Sequence, residues 1–351
     1  MTKPDTAVGI WLGICCSLVA LMVLLGGATR LTDSGLSIVD WRPLTGIAPP
    51  FSHSDWVMLF EKYKVTTEFQ KQNFWMSLSD FKSIFWLEYL HRLLGRIIGL
   101  CFFLPFLWFT WKGKIRSNLL IQCTLVLILG GCQGYLGWFM VQSGLTERTD
   151  VSQYRLAAHF SLAIVIYMAL FWMTLRCLRH RPNPQNKQFR LHLKCLISLV
   201  LITMVAGAFV AGIDAGVAYT TFPLMDGKYF PTGGLQMEPV WLNFFENTAT
   251  VQFSHRQLGI LVVLVSCLLW FRSLKNGTNK SVFRAITLTA GLSILQMALG
   301  IATLLNEVPI LFGIMHQAGS LCVLSSAIWA LYETSSSNRS APLKIKPQLI
   351  G

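Results

Sequence analysis

The sequence predicts an all-α integral membrane protein with eight transmembrane helices. The 351 residues are 53% hydrophobic and only 13% charged, a balance far from that of ordinary soluble domains. Apolar runs of about 20 residues, the length needed to cross a bilayer, recur along the whole chain. These runs lack the period-two alternation of barrel strands, so we expect each of them to be a helix.

Eight runs are long enough, and each is predicted to be one span. The first lies close to the amino terminus. A single lysine precedes it and no small-residue cleavage site is present, so we interpret it as a retained helix and not as a signal peptide. The spans lie near residues 8–29, 88–111, 118–141, 155–176, 194–213, 253–272, 283–305 and 310–332.

Basic residues crowd into alternate loops, and this pattern predicts the orientation. Lysine and arginine concentrate near 112–116, 176–194 and 272–284 and in the carboxyl-terminal tail, whereas the acids collect in the opposite loops. By the positive-inside rule, both termini are cytoplasmic. The net charge of +13 is therefore explained by basic residues in the cytoplasmic loops. The expected partner is membrane lipid, and no nucleic-acid partner is expected. We expect a bacterial inner (plasma) membrane, with the mitochondrial inner membrane as the alternative.

Four motifs of the first half recur in the same order in the second half. Such an ordered series of matches indicates duplication of a four-helix unit. We therefore expect two pseudo-symmetric four-helix bundles, 1–176 and 194–333, with a cytoplasmic linker at 177–193 and a cytoplasmic tail at 334–351. The paired segments are Gly26 to Gly35 with Gly207 to Gly216, His91 to Gly95 with His255 to Gly259, Gln133 to Gly137 with Gln296 to Gly300, and His159 with His316.

The repeat places two histidines in each unit, His91 and His159 in the first and His255 and His316 in the second. All four are predicted to lie within the first two turns of spans that run inward from the outer face. Polar groups in membrane helices are usually retained for function, and imidazoles on facing helices can bind heme iron from both sides. Zinc fits less well, because each unit offers only two histidines. The alternative is a hydrogen bond from each histidine to a neighbouring helix.

Three arginines near these histidines are candidates to pair with heme propionates. Arg92 and Arg256 directly follow their histidines, and Arg155 lies one turn before His159. The alternative is that their side chains extend to the lipid headgroups.

Four glycines on the third span permit close approach of either a flat macrocycle or a neighbouring helix, and helix packing is the preferred interpretation. They are Gly130, Gly131, Gly134 and Gly137.

The two units differ three residues before the first histidine, at Glu88 in one and Gln252 in the other. Residues three apart share a helix face, so Glu88 is predicted to point toward whatever His91 binds. Only the first unit then has a group able to move protons, which makes it the predicted place of chemistry and the second unit its redox partner. The alternative is a carboxylate at the helix start that complements the helix dipole.

At these residues the sequence resembles the heme A synthase family, membrane enzymes that convert heme O to heme A for terminal oxidases. None of the nine cysteines lies in a predicted outer loop, which is similar to the alphaproteobacterial and mitochondrial branch without outer cysteine pairs. The matching segments are Gly26 to Ser37, Trp41 to Pro50, Glu88 to Arg96, Gln133 to Gly137, Thr221 to Asp226 and the last two histidines.

The resemblance implies a role for each candidate residue. His255 and His316 would ligate the iron of a resident heme b, His91 and His159 would hold the iron of the substrate heme, and Glu88 would be catalytic. The reaction would oxidise the C8 methyl of heme O to an alcohol and then to a hydrated aldehyde, with water or oxygen as the oxygen source. Heme O synthase and terminal oxidase assembly factors are expected partners, and the electron acceptor is unidentified.

Two other classes of protein would use the same histidines. An electron-transfer cytochrome b that carries electrons across the membrane needs hemes at different depths, whereas these histidines share one predicted depth. A heme-handling protein, such as a transporter or chaperone, gives no reason for Glu88. Incubation with heme O separates the three classes, because only the enzyme makes a formyl heme.

Overall fold

The computed structural model describes residues 5–41, 46–115, 118–145, 148–179 and 188–334. Within these ranges the secondary structure is helical, with no β-strand, and eight helices are long and apolar enough to cross a membrane. The predicted all-α integral membrane fold is confirmed. The helices are α1 (Thr6–Leu31), α2 (His53–Lys64), α3 (Leu78–Trp111), α4 (Asn118–Gln142), α5 (Gln153–Leu178), α6 (Phe189–Gly212), α7 (Asn243–Glu246), α8 (Thr248–Lys275), α9 (Lys280–Leu305) and α10 (Ile310–Glu333).

Helix α3 begins ten residues before the start predicted for the second span, at Leu78 and not at residue 88. Its start is fixed by a capping box, in which the Ser77 hydroxyl accepts from the backbone N–H of Asp80 and the Asp80 carboxylate accepts from the backbone N–H of Ser77. The prediction that His91 lies in the first two turns is therefore wrong, because His91 is in the interior of the helix.

The early turns of α3 are covered by α2, a short helix in a segment that the sequence analysis left as an outer loop. Trp56, Phe60 and Tyr63 of α2 pack against Phe81 and Phe85 of α3 in one buried cluster. The ring centroids of Phe60 and Phe81 are 5.2 Å apart. A search for long apolar runs misses α2, because it is only 12 residues long and has one apolar face. The cluster formed with α2 includes Phe85 and Tyr89, so it reaches the part of α3 that carries Glu88.

The membrane-spanning helices pack in two sets of four. Helix α1 contacts α3 and α5, and α4 contacts α5; in the second set, α6 contacts α8 and α10, and α9 contacts α8 and α10. The sets meet where α5 packs on α6 and α1 packs on α10. The domain boundaries and the pseudo-symmetry stay predictions.

Both ends of the predicted linker at 177–193 are helical, since α5 runs to Leu178 and α6 begins at Phe189. The middle of that segment, 180–187, and the tail beyond Thr334 lie outside the described residues.

An arginine joins the two sets at one end of the molecule. Arg30, near the end of α1, places Nη1 2.7 Å from Oδ1 of Asp33 and Nη2 2.8 Å from Oδ2 of Asp214, which follows α6. Asp33 and Asp214 occupy matching positions in the repeat, and both have a left-handed backbone, with φ of 47° and 51°. The ends of α1 and α6 are thereby held together by one side chain.

Candidate heme sites

Each of the four predicted histidines lies against a glycine of the preceding membrane helix. A side chain at any of these glycines would meet the imidazole ring, so each pocket depends on the missing Cβ. The distances from an ideal Cβ to the ring atom Cε1 are 3.1 Å for Gly26 and His91, 3.0 Å for Gly137 and His159, 2.9 Å for Gly207 and His255, and 2.7 Å for Gly300 and His316.

The second pair of histidines is brought together between α8 and α10. The ring centroids of His255 and His316 are 6.2 Å apart and the ring planes are inclined by 80°. Two metal–imidazole bonds of about 2.0 Å each, together with the two ring radii, span such a distance. Nδ1 of His255 lies 3.1 Å from the carbonyl oxygen of Thr203, and an N–H donated there leaves Nε2 free to bind a metal. This pair fits the axial ligands of a heme.

Two glutamines support the later histidine of each pair, and the sequence analysis gave neither a role. Nε2 of Gln296 lies 3.1 Å from Nδ1 of His316 and donates to its backbone carbonyl at 2.8 Å. Gln133 makes the matching contacts to His159, at 3.3 Å to Nε2 and 3.1 Å to the carbonyl oxygen. The available signal was the repeated Gln-x-x-Leu-Gly spacing, which puts the amide and the pocket glycine on one helix face.

The first pair is less fully supported by the protein. His91 and His159 each have a buried Nδ1 atom without a hydrogen-bond partner among the described residues. Buried polar atoms are almost always satisfied by protein, water or a ligand. The first pair therefore has ring nitrogens that a ligand could still contact, whereas the rings of the second pair already contact neighbouring residues.

Glu88 is 3% exposed, and four hydrogen-bond donors surround its carboxylate. Oε2 accepts from Ser37 Oγ at 2.7 Å and from the backbone N–H of Ile38 at 2.8 Å. Oε1 accepts from Nε and Nη2 of Arg92, at 3.0 and 2.7 Å. The helix-dipole alternative is wrong, because Glu88 is ten residues inside α3 and the dipole effect falls off within the first turn.

Arg92 and Arg256 reach inward to the loops that follow α1 and α6. The alternative of extension to lipid headgroups is therefore wrong for both. Arg155 donates to the carbonyl of Phe139 at 2.7 Å and stacks on its ring, 3.7 Å from the centroid. Propionate pairing stays a prediction for the three arginines. The loop acceptors are the carbonyls of Ile38 and Asp40 for Arg92, at 2.7 and 3.0 Å, and of Tyr219 and Thr221 for Arg256, at 2.7 and 2.8 Å.

The helix-packing interpretation of the α4 glycines is wrong for three of the four. An ideal Cβ at Gly130, Gly131 or Gly134 has no atom within 4 Å apart from the helix's own backbone, whereas one at Gly137 meets the ring of His159. Among the described residues no group of three or more His, Cys, Asp or Glu side chains could hold a metal ion. The histidines thus come in pairs, and a porphyrin needs only axial ligands from the protein.

The sequence matches the COX15-CtaA family, described as cytochrome oxidase assembly protein, over residues 9–328. The chain belongs to the COX15-CtaA family. The heme A synthase of Nitrosospira multiformis is 47% identical over 330 residues, which cover 93% of each chain. That of Rhodospirillum centenum is 45% identical over 93% of this chain and 88% of its own, and that of Azorhizobium caulinodans is 45% identical over 96% of both.

These matches confirm the family resemblance drawn from the motifs. The COX15-CtaA match includes all four histidines, Glu88 and the aligned glycines, since it runs across both sets of helices. All nine cysteines of this family member are free and lie on membrane-spanning helices, as the sequence analysis expected.

Proposed function

We propose that this protein converts heme O to heme A by oxidising the C8 methyl of the porphyrin to a formyl group. The observation that carries the proposal is the set of four glycine-backed histidine pockets, in a chain that heme A synthases match over 93% or more of its length. The alternatives, a di-heme electron-transfer cytochrome and a heme-handling protein, leave the buried Glu88 without a role.

The second unit, 194–333, holds a resident heme b through His255 and His316. When bound, heme b supplies a redox centre that takes up electrons from the oxidation. Thr203 fixes the ring of His255 through its carbonyl, and Gln296 fixes the ring of His316. Such supporting contacts orient ligands and tune their basicity, which suits a cofactor that stays bound.

The first unit, 1–176, binds the substrate heme between His91 and His159 and carries the chemistry. Glu88 lies one turn before His91 on the same face of α3. Ser37, Ile38 and Arg92 hold its carboxylate in a fixed position, where it accepts a proton as the methyl group is oxidised.

The protein works as a multi-pass protein of a bacterial inner membrane, with both termini and the 177–193 linker in the cytoplasm. The expected partners are the enzyme that supplies heme O, the assembly factors of the terminal oxidases that receive heme A, and an electron acceptor of unknown identity. The alternating basic loops support this orientation.

The test is incubation of purified, heme b-loaded protein with heme O and an added oxidant in air, followed by chromatography of the extracted hemes. Wild type should yield heme A. His91→Ala should retain most of the low-spin heme b spectrum and lose heme A formation, while His255→Ala or His316→Ala should lose most of that spectrum. His53→Ala, on the exposed start of α2, is the matched control and should change neither.

Two results would overturn parts of the proposal. If His91→Ala abolished the heme b spectrum and His316→Ala spared it, the roles of the two units would be reversed. If wild-type protein bound heme O with heme b in place and an oxidant present, yet formed no oxidised heme, the protein would be a heme-handling or electron-transfer protein.

A further inference from the structure

The residue that follows His316 on α10 contacts the helix that backs the other histidine site. Gln317 donates from Nε2 to the backbone carbonyl oxygen of Val23 on α1, at 3.0 Å. The Gln317 side chain is partly buried, and both residues lie inside membrane-spanning helices. Hydrogen bonds of this kind hold helices together in a membrane, because lipid offers a freed polar group no partner. Gln317 therefore joins α10 of the second set to α1 of the first.

The Gln317 amide occupies the space that a side chain at Gly27 would fill. An ideal Cβ at Gly27 would lie 2.8 Å from Cδ of Gln317 and would clash with its Oε1. The preceding residue, Gly26, leaves room for the ring of His91 in the same way. Two consecutive glycines of α1 thus accommodate a side chain from each site, namely His91 itself and the direct neighbour of His316.

The related junction between α5 and α6 is apolar at these positions. The repeat places Phe160, which follows His159, in the position of Gln317, and it places Ala208 in the position of Gly27. Phe160 packs against a buried apolar cluster that includes Ala208. A phenylalanine side chain forms no such hydrogen bond, so at these matched positions the α1–α10 junction alone has a polar connection between the sets.

This connection gives the second histidine site a direct effect on the backbone of the first. Any shift of α1 relative to α10 moves Gly26 and so changes the room for the ring of His91. Ligation of iron by His316 restricts the adjacent residue, and through the hydrogen bond of Gln317 it also restricts α1. A site whose backbone is already ordered loses less conformational freedom when it binds a ligand.

We propose that Gln317 is a positioning residue that couples the two histidine sites, by holding α1 against α10 so that the backbone at Gly26 is fixed when heme occupies the second site. Occupation of the second site then favours binding of the substrate heme by His91 and His159. By thermodynamic linkage, the substrate heme stabilises the resident heme to the same extent. This inference rests on the proposed function and deepens it, since the substrate then binds preferentially to protein that already holds its redox centre.

Gln317→Ala removes the amide and tests the coupling in heme b-loaded protein. Heme O binding, measured by absorbance titration, should weaken by roughly 3- to 20-fold, which is the value of one hydrogen bond between membrane helices. Ser325→Ala is the matched control, because the hydroxyls of Ser325 and Tyr167 lie 2.6 Å apart and also join α10 to the first set, farther from the histidines. The control should bind heme O as wild type does.

Gly27→Ala reaches the same contact from α1, since its Cβ would displace the Gln317 amide. Each single variant should weaken heme O binding, whereas the double variant should bind heme O about as well as Gln317→Ala alone. Additive losses would show that the two residues act separately and would overturn the inference. So would unchanged binding in Gln317→Ala, or an equal loss in Ser325→Ala.

The thermal loss of the low-spin heme b spectrum supplies a readout other than activity. Added heme O should raise the temperature at which wild type loses this spectrum, because the two sites stabilise each other. Gln317→Ala should show a smaller increase, and Ser325→Ala should show the wild-type increase. An increase of the same size in wild type and Gln317→Ala would contradict the coupling.

A parallel titration of His91→Ala separates this inference from the proposed function. If His91→Ala loses heme O binding and Gln317→Ala keeps it, the inference about coupling fails alone. If His91→Ala binds heme O as wild type does, the substrate site is not in the first unit and the proposed function of that unit fails. Retention of the resident heme b spectrum before heating confirms that each variant is folded.

Discussion

Glu88 and Gln252 occupy matching positions, but their hydrogen bonds to the neighbouring loops run in opposite directions. The Glu88 carboxylate accepts from the side chain of Ser37 and the backbone N–H of Ile38. The Gln252 amide instead donates to two loop carbonyls, at 3.1 Å each. The loop beside Glu88 therefore offers hydrogen-bond donors, and the loop beside Gln252 offers acceptors. An anionic group is built into the first unit alone, beside the histidine pair with unsatisfied ring nitrogens.

Replacement of Glu88 tests whether this anion acts in the chemistry. Glu88→Gln removes the group that takes up protons, so heme A formation should fall by about 10²–10⁴-fold, the usual contribution of a general acid or base. Heme b in the second unit should remain. The heme products are quantified per heme b-loaded protein.

Ser37→Ala is the matched control for this replacement, because it removes one hydrogen bond to Glu88 but keeps the carboxylate. It should cost far less activity than Glu88→Gln. Equal losses in the two variants would mean that Glu88 acts only by tying the loop to α3, and the catalytic role would be withdrawn.

Glu68 is a second buried carboxylate, in the outer segment between α2 and α3. It is 2% exposed and accepts a hydrogen bond from the Tyr63 hydroxyl at 2.9 Å. Burial raises the pKa of Glu68 from 4.5 to about 8. Between these two pH values the folded state keeps a proton that the unfolded state releases. Stability from this group is thus fully present below about pH 4.5 and is lost as the pH rises toward 8.

Glu68→Gln should remove this pH dependence, because an amide stays neutral in both states. The wild-type melting temperature should decrease as the pH is raised toward 8, and the variant should show a smaller decrease and a higher melting temperature at the alkaline end. Glu61→Gln, an exposed carboxylate on α2, serves as control and should keep the wild-type slope. Identical slopes in wild type and Glu68→Gln would contradict a protonated Glu68.

At the scale of helices, the sequence predicted the eight spans because length and hydropathy alone define them. It missed α2 and the first ten residues of α3, since these parts pack on each other and carry polar residues, so that no long apolar run marks them. Capping signals were nevertheless present, with serine three residues before aspartate at Ser52 and Asp55 and at Ser77 and Asp80. A search for caps beside apolar runs would have found both starts.

At the candidate site, too, only part of the arrangement could be predicted from the sequence. The repeat identified all four histidines. The ion pair between Glu88 and Arg92 was not predicted, although their spacing of four residues on one helix permits it. The support of His255 by the Thr203 carbonyl could not be predicted, because a backbone acceptor is available from any residue type. The exposure of Gly130 could not be predicted either, because the same glycine pattern is found on tightly packed and on exposed helix faces.

Across the whole molecule, the two sets of helices share their motifs but differ in how they support their histidines. In the second set, Thr203 and Gln296 contact the rings of the two histidines. The first set leaves Nδ1 of both histidines without a hydrogen-bond partner among the described residues. Contacts of α1 with α10 and of α5 with α6 keep the two sets side by side. The two histidine pairs therefore differ in how fully the rest of the protein supports them.

The membrane orientation decides which side of the bilayer this chemistry faces. Reporter fusions placed after Lys114, between α3 and α4, and after Lys280, at the start of α9, should read cytoplasmic, because basic residues mark these connections. Fusions near Thr67 and Met237, in the segments before α3 and before α8, should read external. Alkaline phosphatase fusions report an external position and fluorescent-protein fusions report a cytoplasmic position, so the two kinds of fusion check each other. Two reporters on the wrong side would invert the orientation and place the histidine pairs, Glu88 and the α2 layer toward the cytoplasm.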